Sequence, residues 1–163
     1  MDILKLIKTR RSIRRYKKLT VNKRVIKRII QAGIWAPSGL NNQPWKFKVI
    51  TNPELEVLSK YTKCSQIIKQ AVFAICVFLD KKRSYSRDKD LMSVGACIQN
   101  MLLFSWQMGL GSCWLGEILR KKQAINKYLK IDSDFELMAV ISFGYPFKKS
   151  KSSRRNIKSF MFE

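Results

Sequence analysis

Residues 9–16 read TRRSIRRY, four arginines around one serine within eight positions. Arginine carries a planar, permanently charged fork that meets phosphate oxygens two at a time, and a serine hydroxyl with nearby backbone N–H groups fills the directions between forks. The same run also has the composition of a solvated basic face or a nucleic-acid contact, so alone it leaves three readings open. Two further stretches could approach a ligand. APSGLNNQPW (36–45) is long for a helix-to-strand connection, and its small residues at 36–39 would let backbone come close to a flat molecule. GLGSCWLGEI (109–118) encloses Trp114 and Leu115 between glycines, but without the spacing of a P-loop or a dinucleotide fingerprint.

Other chemistries are excluded by what is missing. The 163 residues contain no histidine, which removes every Ser-His and Cys-His mechanism. The four cysteines, Cys64, Cys76, Cys97 and Cys113, form no CxxC pair, so buried structural thiols are expected rather than a metal site. Any chemistry must then come from other side chains, a metal held by carboxylates, or a cofactor.

Formal net charge is +22, from 33 Lys and Arg against 11 Asp and Glu, a field that draws anions of every size. It is unevenly laid out. Twelve of the first 28 residues are basic, and KKSKSSRRNIK (148–158) adds six, whereas 91–119 carries one charge, Glu117. Two cationic arms around an apolar middle are implied.

The elements that must position these stretches follow from periodicity. A short helix is expected over 2–8, and Asn22 caps a second over 22–35 with Val25, Ile26, Ile29, Ile30 and Ile34 at helical spacing. WKFKVIT (45–51) alternates as a half-exposed strand, a helix covers roughly 54–61, and AVFAICVFL (71–79) reads as a central two-sided strand. Residues 90–108 form a long helix stopped at Gly109. Its length raises the question of a membrane span, but Ser93, Gln99, Asn100, Ser105 and Gln107 favour burial in a dimer core. An amphipathic helix over 117–130 and a strand over 135–146 complete one α+β or α/β domain spanning 1–163. The N-terminus lacks a secretory pattern, so the cytoplasm is expected and no membrane partner.

Taken in order, RRSIRRY, APSGLNNQPWKF, QNMLLFSWQMGLGSCWLGE and ISFGYP followed by KSSRR resemble the nitroreductase family of FMN-dependent oxidoreductases, from about residue 9 to 155. The chain is shorter than many relatives between the strand at 45–51 and the long helix, where substrate-covering elements often lie. The resemblance implies an α+β fold, a mixed sheet flanked by helices, in an intertwined homodimer with FMN at the interface. It implies that Arg10, Arg11, Ser12 and Arg14 hold the phosphate with Arg154 or Arg155, and Lys151 beside them. Pro37, Ser38, Gly39 and Asn41 would touch the flavin from the partner subunit, and Trp114, Leu115 and Gly116 would lie against the isoalloxazine. Arg14 could instead face the flavin N1–O2 edge.

The implied activity passes electrons from NADH or NADPH through FMN to a small organic acceptor, a nitro compound or quinone, by a ping-pong cycle with no catalytic side chain. Gly116 stands where many relatives carry an acid, with Glu117 one place later. Lys63, Gln66 and Lys69 are open choices for a polar contact to the pyrimidine end. Two alternatives remain at the level of sequence: a flavin-binding protein without turnover, and a basic nucleic-acid-binding domain.

Overall fold

The computed structural model describes residues 2–148 and 150–162. Helix α1 (Ile3–Thr9) begins under Asp2, whose carboxylate accepts from the N–H groups of Leu4 and Lys5. Helix α2 (Lys23–Ile34) begins the same way, with the Asn22 side chain accepting from Arg24 N. There follow β1 (Trp45–Ile50), α3 (Glu54–Ser59), α4 (Ser65–Lys69), β2 (Phe73–Asp80), α5 (Arg87–Gln107) and β3 (Gly111–Leu115). A 3₁₀ turn (Glu117–Lys121) leads into α6 (Lys122–Leu129), and β4 (Phe135–Gly144) precedes the basic arm, which ends in a short turn at Ile157–Phe160.

The strands lie in the order β1-β2-β4-β3, each neighbour antiparallel. The expected mixed sheet is therefore antiparallel among its named strands. Its parallel component is a single bridge between Ser12 and Ser112 on the outer edge of β3. Along β2 every residue is buried, and alternation sends Phe73, Ile75 and Val77 to one face and Ala74, Cys76 and Phe78 to the other. The first face is covered by α2 and α5, the second by α3, α4 and α6. Helices α2 and α5 meet closely because Gly33 has no side chain: a Cβ there would sit 2.8 Å from Met101 Cγ.

Three local expectations change. The helix foreseen over 117–130 is broken at Lys121, because the Glu117 carboxylate is held by Thr62 and Lys63 while Ile118 is driven fully into the core. The tighter 3₁₀ turn satisfies both. Strand β3 and helix α4 were not foreseen: five residues with a glycine at one end, and SQIIK, are too short to show a period. Helix α5 ends at Met108, with Gly109 at φ +77° just beyond. Among the described residues no helix is long and apolar enough to cross a membrane.

Candidate functional site

The arginine segment lies along the free edge of β3 and continues past the end of β4. Ile13 N donates to Ser112 O at 2.8 Å, Lys17 N to Tyr145 O at 2.8 Å, and Phe147 N returns a bond to Arg15 O at 3.0 Å. What lets it lie so close is a pair of glycines facing each other across β3 and β4, Gly111 and Gly144. A Cβ on Gly111 would stand 2.6 Å from Ile13 Cγ1, and one on Gly144 2.9 Å from Tyr16 Cδ1. Ile13 and Tyr16 sink into those gaps and are buried. Tyr16 Oη lies 2.8 Å from both Ile13 O and Ser142 Oγ, and burial pushes its pKa well above the usual phenol range.

With Ile13 and Tyr16 anchored, the arginines are left at the surface. Arg10 is half-buried beside Arg11 and Arg154, and burial, then those two like charges, lowers its pKa. The N-terminal segment and the C-terminal arm therefore converge. Arg11 turns Nη1 back to Lys8 O and Arg10 O, both at 2.6 Å, and its Nε is buried with no partner. Arg14 is exposed, close enough to Cys113 to oppose the upward shift that burial gives that thiol. Every ion pair among the described residues joins residues between 56 and 136, so none of these arginines has a carboxylate. Arg10 and Arg11, half-buried and without an acid partner among the described residues, leave donors that an anion could take up.

The two C-terminal arginines part company. Arg154 joins Arg10, donating from Nη1 to Ser152 Oγ and Ser153 O at 2.8 Å, whereas Arg155 lies over the Phe160 ring at 4.6 Å. Lys151 lines a cleft of about 620 Å³ with Arg11 and Trp106, whose Nε1 donates to Thr9 Oγ1 at 3.2 Å.

Beside the arginines, β3 presents unpaired backbone. Ser112 O points outward to Ile13 N, so strand alternation turns the N–H and C=O of Trp114 outward too. The Trp114 ring is 44% exposed. The Leu115 side chain is in the core, and the same alternation turns its N–H and C=O towards β4. Gly116 is exposed, and the next residue, Glu117, accepts from Thr62 Oγ1 at 2.6 Å and Lys63 N at 3.2 Å, which lowers its pKa. That clasp sets Lys63 beside the motif, while Lys69 pairs with Glu56 at 3.7 Å.

Pro37, Ser38, Gly39 and Asn41 are elsewhere. Their loop packs on the N-terminal turn of α5: Gly39 makes room for the Tyr85 ring, and Asn42 Nδ2 donates to Asp90 at 2.7 Å. Leu40, Asn41 and Gln43 all have φ near +50°, and Gln43 N donates to Ser38 Oγ at 3.0 Å. The buried Asp90 carboxylate also accepts from Ser84 Oγ and the N–H groups of Tyr85 and Ser86. Trp106, at the arginine end, is sixteen residues further along the same helix, roughly 24 Å at 1.5 Å per residue. One chain thus brings Arg10, Arg11, Ser12, Arg14, Lys151, Arg154, Trp114 and Gly116 to one region and holds the Pro37–Asn41 loop well away from it. Gly111, Gly144, Thr62, Asn42 and Asp90 complete this arrangement and were not singled out from sequence. For the glycines, the signal was present in GLGSCW and SFGYP.

The Nitroreductase family model matches residues 7–69 and 56–145. A protein of Archaeoglobus fulgidus provisionally named NADH dehydrogenase/NAD(P)H nitroreductase is 36% identical over 149 residues, 89% of this chain and 86% of that one. A solved structure from Desulfovibrio desulfuricans, described provisionally as a nitroreductase in complex with FMN, superposes at TM-score 0.97 with 39% identity, over 100% of this chain and 96% of that one. The NADPH:FMN oxidoreductase of Vibrio harveyi, complexed with NAD⁺, has a TM-score of 0.90 over 98% of this chain and 76% of that one, and at 20% identity shares the fold.

Proposed function

The chain belongs to the nitroreductase family, and from that premise we propose that it is an FMN-dependent oxidoreductase, one domain over its whole length, acting as a homodimer. The observation that carries this reading is the cluster of Arg10, Arg11 and Arg154, without an acid partner among the described residues and drawn from both ends of the chain to the outer edge of β3. The donor set suits a phosphate monoester: several guanidiniums and the Ser12 hydroxyl lie together, with Arg11 Nε lacking a protein acceptor.

The homodimer follows from the division of the site. A second copy with its α5 antiparallel would carry its Pro37–Asn41 loop to the arginine end of the first. The outward face of α5 supports this: Met92, Gly95, Ala96, Gln99 and Leu103 form an uncharged stripe that is exposed or only partly covered.

Bound FMN supplies the redox chemistry, a hydride accepted from NADH or NADPH and two electrons passed to a nitro compound, quinone or similar small acceptor. Arg10, Arg11, Ser12 and Arg154 hold the phosphate, with Lys151 at the cleft margin. Arg14 places positive charge where the ring system gains negative charge, and the backbone around Trp114 to Gly116 donates hydrogen bonds to the ring's polar edge. The partner's Pro37–Asn41 loop closes the opposite side. Donor and acceptor use the same open face in turn, which gives ping-pong kinetics and requires no protein acid, base or nucleophile.

The test is an absorbance spectrum of the purified protein before and after anaerobic NADH or NADPH. Flavin bands at about 370 and 450 nm that bleach would support the reductase, and bands that persist would replace it with a flavin-binding protein lacking turnover. No bands after adding FMN would overturn the cofactor assignment.

A further inference from the structure

The charge of this chain is far larger than a phosphate needs, and its layout is not that of a solvated surface. Residues 3–53 hold 14 basic and no acidic side chains, and 137–162 hold six basic and none acidic. The ion pairs among the described residues all lie in the segment between, so none of them neutralises a charge on either arm. The arms are also neighbours in space, joined by the Lys17–Tyr145 and Phe147–Arg15 backbone bonds and by Arg10 against Arg154. They merge into one cationic face in which Lys5, Lys8, Arg14, Arg15, Lys17 and Lys18 are all exposed. That face borders the edge of β3 where Trp114 is open.

Building on the flavin reading above, we propose that this face docks a small acidic protein carrying a one-electron redox centre, a second electron source beside the nicotinamide. The extent of the patch argues for a protein. Helix α1 alone spans roughly 10 Å and the charges continue from it through residue 28, beyond the reach of one nucleotide. Its position argues for electron transfer, since the most cationic surface is the rim of the proposed cofactor site and steering would bring an acidic carrier there first. Nucleic acid is the competing polyanion. Tyr16 is buried, but Phe147, Phe160 and Phe162 are exposed on the C-terminal arm, so it is the position of the face beside the proposed cofactor site that favours a redox carrier, and competition by DNA tests it. In the reaction two reduced carriers each give up one electron. The bound flavin takes both electrons with one proton from solvent, and two oxidised carriers depart.

The experiment uses the purified full chain and a plant-type [2Fe–2S] ferredoxin as the probe. Binding is read by calorimetry at about 50 and about 250 mM salt, and flavin bleaching by the reduced ferredoxin is followed anaerobically. The charge-reversed variants are Lys17→Glu/Lys18→Glu and Lys5→Glu/Lys8→Glu. Saturable binding that weakens about tenfold or more with salt and again with each reversal is expected, with bleaching by ferredoxin slowed and bleaching by NADH or NADPH unchanged. Absence of binding, indifference to both reversals, or displacement of ferredoxin by an equimolar short DNA duplex would overturn the proposal. Calorimetry does not depend on the flavin. A yellow protein that ignores ferredoxin therefore sinks this surface alone, and a colourless one that binds it sinks the flavin reading alone.

Discussion

Asn42 and Asp90, 48 residues apart, are joined by a 2.7 Å hydrogen bond that fastens the loop after α2 to the first turn of α5. The loop contains three non-glycine residues at positive φ, a conformation that costs energy and persists only when its surroundings hold it. Asp90 is the centre of that hold. It accepts from Asn42, which also donates to Arg83 O, from Ser84 and from two backbone N–H groups.

Replacing Asp90 with Ala should therefore cost about 2–4 kcal/mol, several buried donors losing a charged acceptor at once, read as a lower urea midpoint at unchanged slope. The pH dependence has a definite sign. Burial alone would raise the Asp90 pKa, but bonds from Ser84, Asn42 and the two N–H groups outweigh it and hold it below the ordinary value. Its contribution is complete above the unfolded value of about 3.9 and is lost as pH falls through the lower folded one. Asp90→Asn should flatten that acid limb. An unchanged limb would show that the carboxylate is not charged in the fold.

Glu136 makes a parallel case on the sheet. It accepts from Arg87 at 2.7 Å and Lys122 at 2.6 Å, tying the starts of α5 and α6 to β4, and the Arg87 bond foremost brings its pKa down to about 2. Stability from this group is present above the unfolded value of about 4.3 and drains away between there and about 2. Both cations are about half exposed, so screening leaves about 1–2 kcal/mol. Glu136→Gln should lose that amount at pH 7 and only a small part of it at pH 2, measured by denaturant unfolding.

Gly111→Ala should act on the site from beneath it. The new methyl meets Ile13 at its Cβ and Cγ1, and Ile13 cannot swing aside because its backbone is bonded to Ser112. A stability loss of about 1–3 kcal/mol is expected, with FMN retained less well because Arg10, Arg11 and Ser12 move with Ile13. Gly116→Ala has nothing within 4 Å of its new Cβ and should leave stability unchanged. Equal behaviour of the two variants in thermal melts would refute the bed of glycines.

These cases show which parts of the site a sequence displays. TRRSIRRY and the loop at 36–45 are legible because their chemistry is local: charge, hydroxyl and small residues in one run. The uncharged run ending at Gly109 likewise gave the long helix. Gly111 opposite Gly144 is different, since each glycine looks like a turn until β3 and β4 are seen paired in register. Asp90 reads as an ordinary acid in a first helical turn, and Glu117 as the start of a helix, until their partners at 42, 62 and 63 arrive from other parts of the chain. Long-range pairing is what the sequence conceals, and it also sets Arg154 near Arg10 and Arg155 over Phe160.

The oligomeric state should be a dimer of about twice 19.1 kDa by light scattering. Gly95 tests how it forms, because within one chain a side chain there meets nothing within 4 Å, on the uncharged stripe of α5. Gly95→Arg should give a folded 19.1 kDa monomer that has lost its flavin, since the partner's loop no longer reaches the arginine end. A Gly95→Arg protein that remains a yellow dimer would place the interface elsewhere.

Arg10→Ala separates the cradle from a general basic surface. Losing one charge-assisted contact to phosphate costs about 1.5–3 kcal/mol, so FMN affinity should fall roughly 10- to 100-fold, while riboflavin, which has no phosphate, should bind as before. Arg155→Ala is the contrast: its guanidinium rests on Phe160 rather than in the cluster, and both ligands should bind nearly as tightly as to the parent. Two titrations of apoprotein by flavin fluorescence quenching decide the matter. Equal loss of FMN and riboflavin in Arg10→Ala would mean that the residue supports the fold of the segment. A large effect in Arg155→Ala would mean that the arm rearranges to bring the second arginine in. A selective loss of FMN in Arg10→Ala alone assigns the phosphate to the place where the two ends of the chain meet.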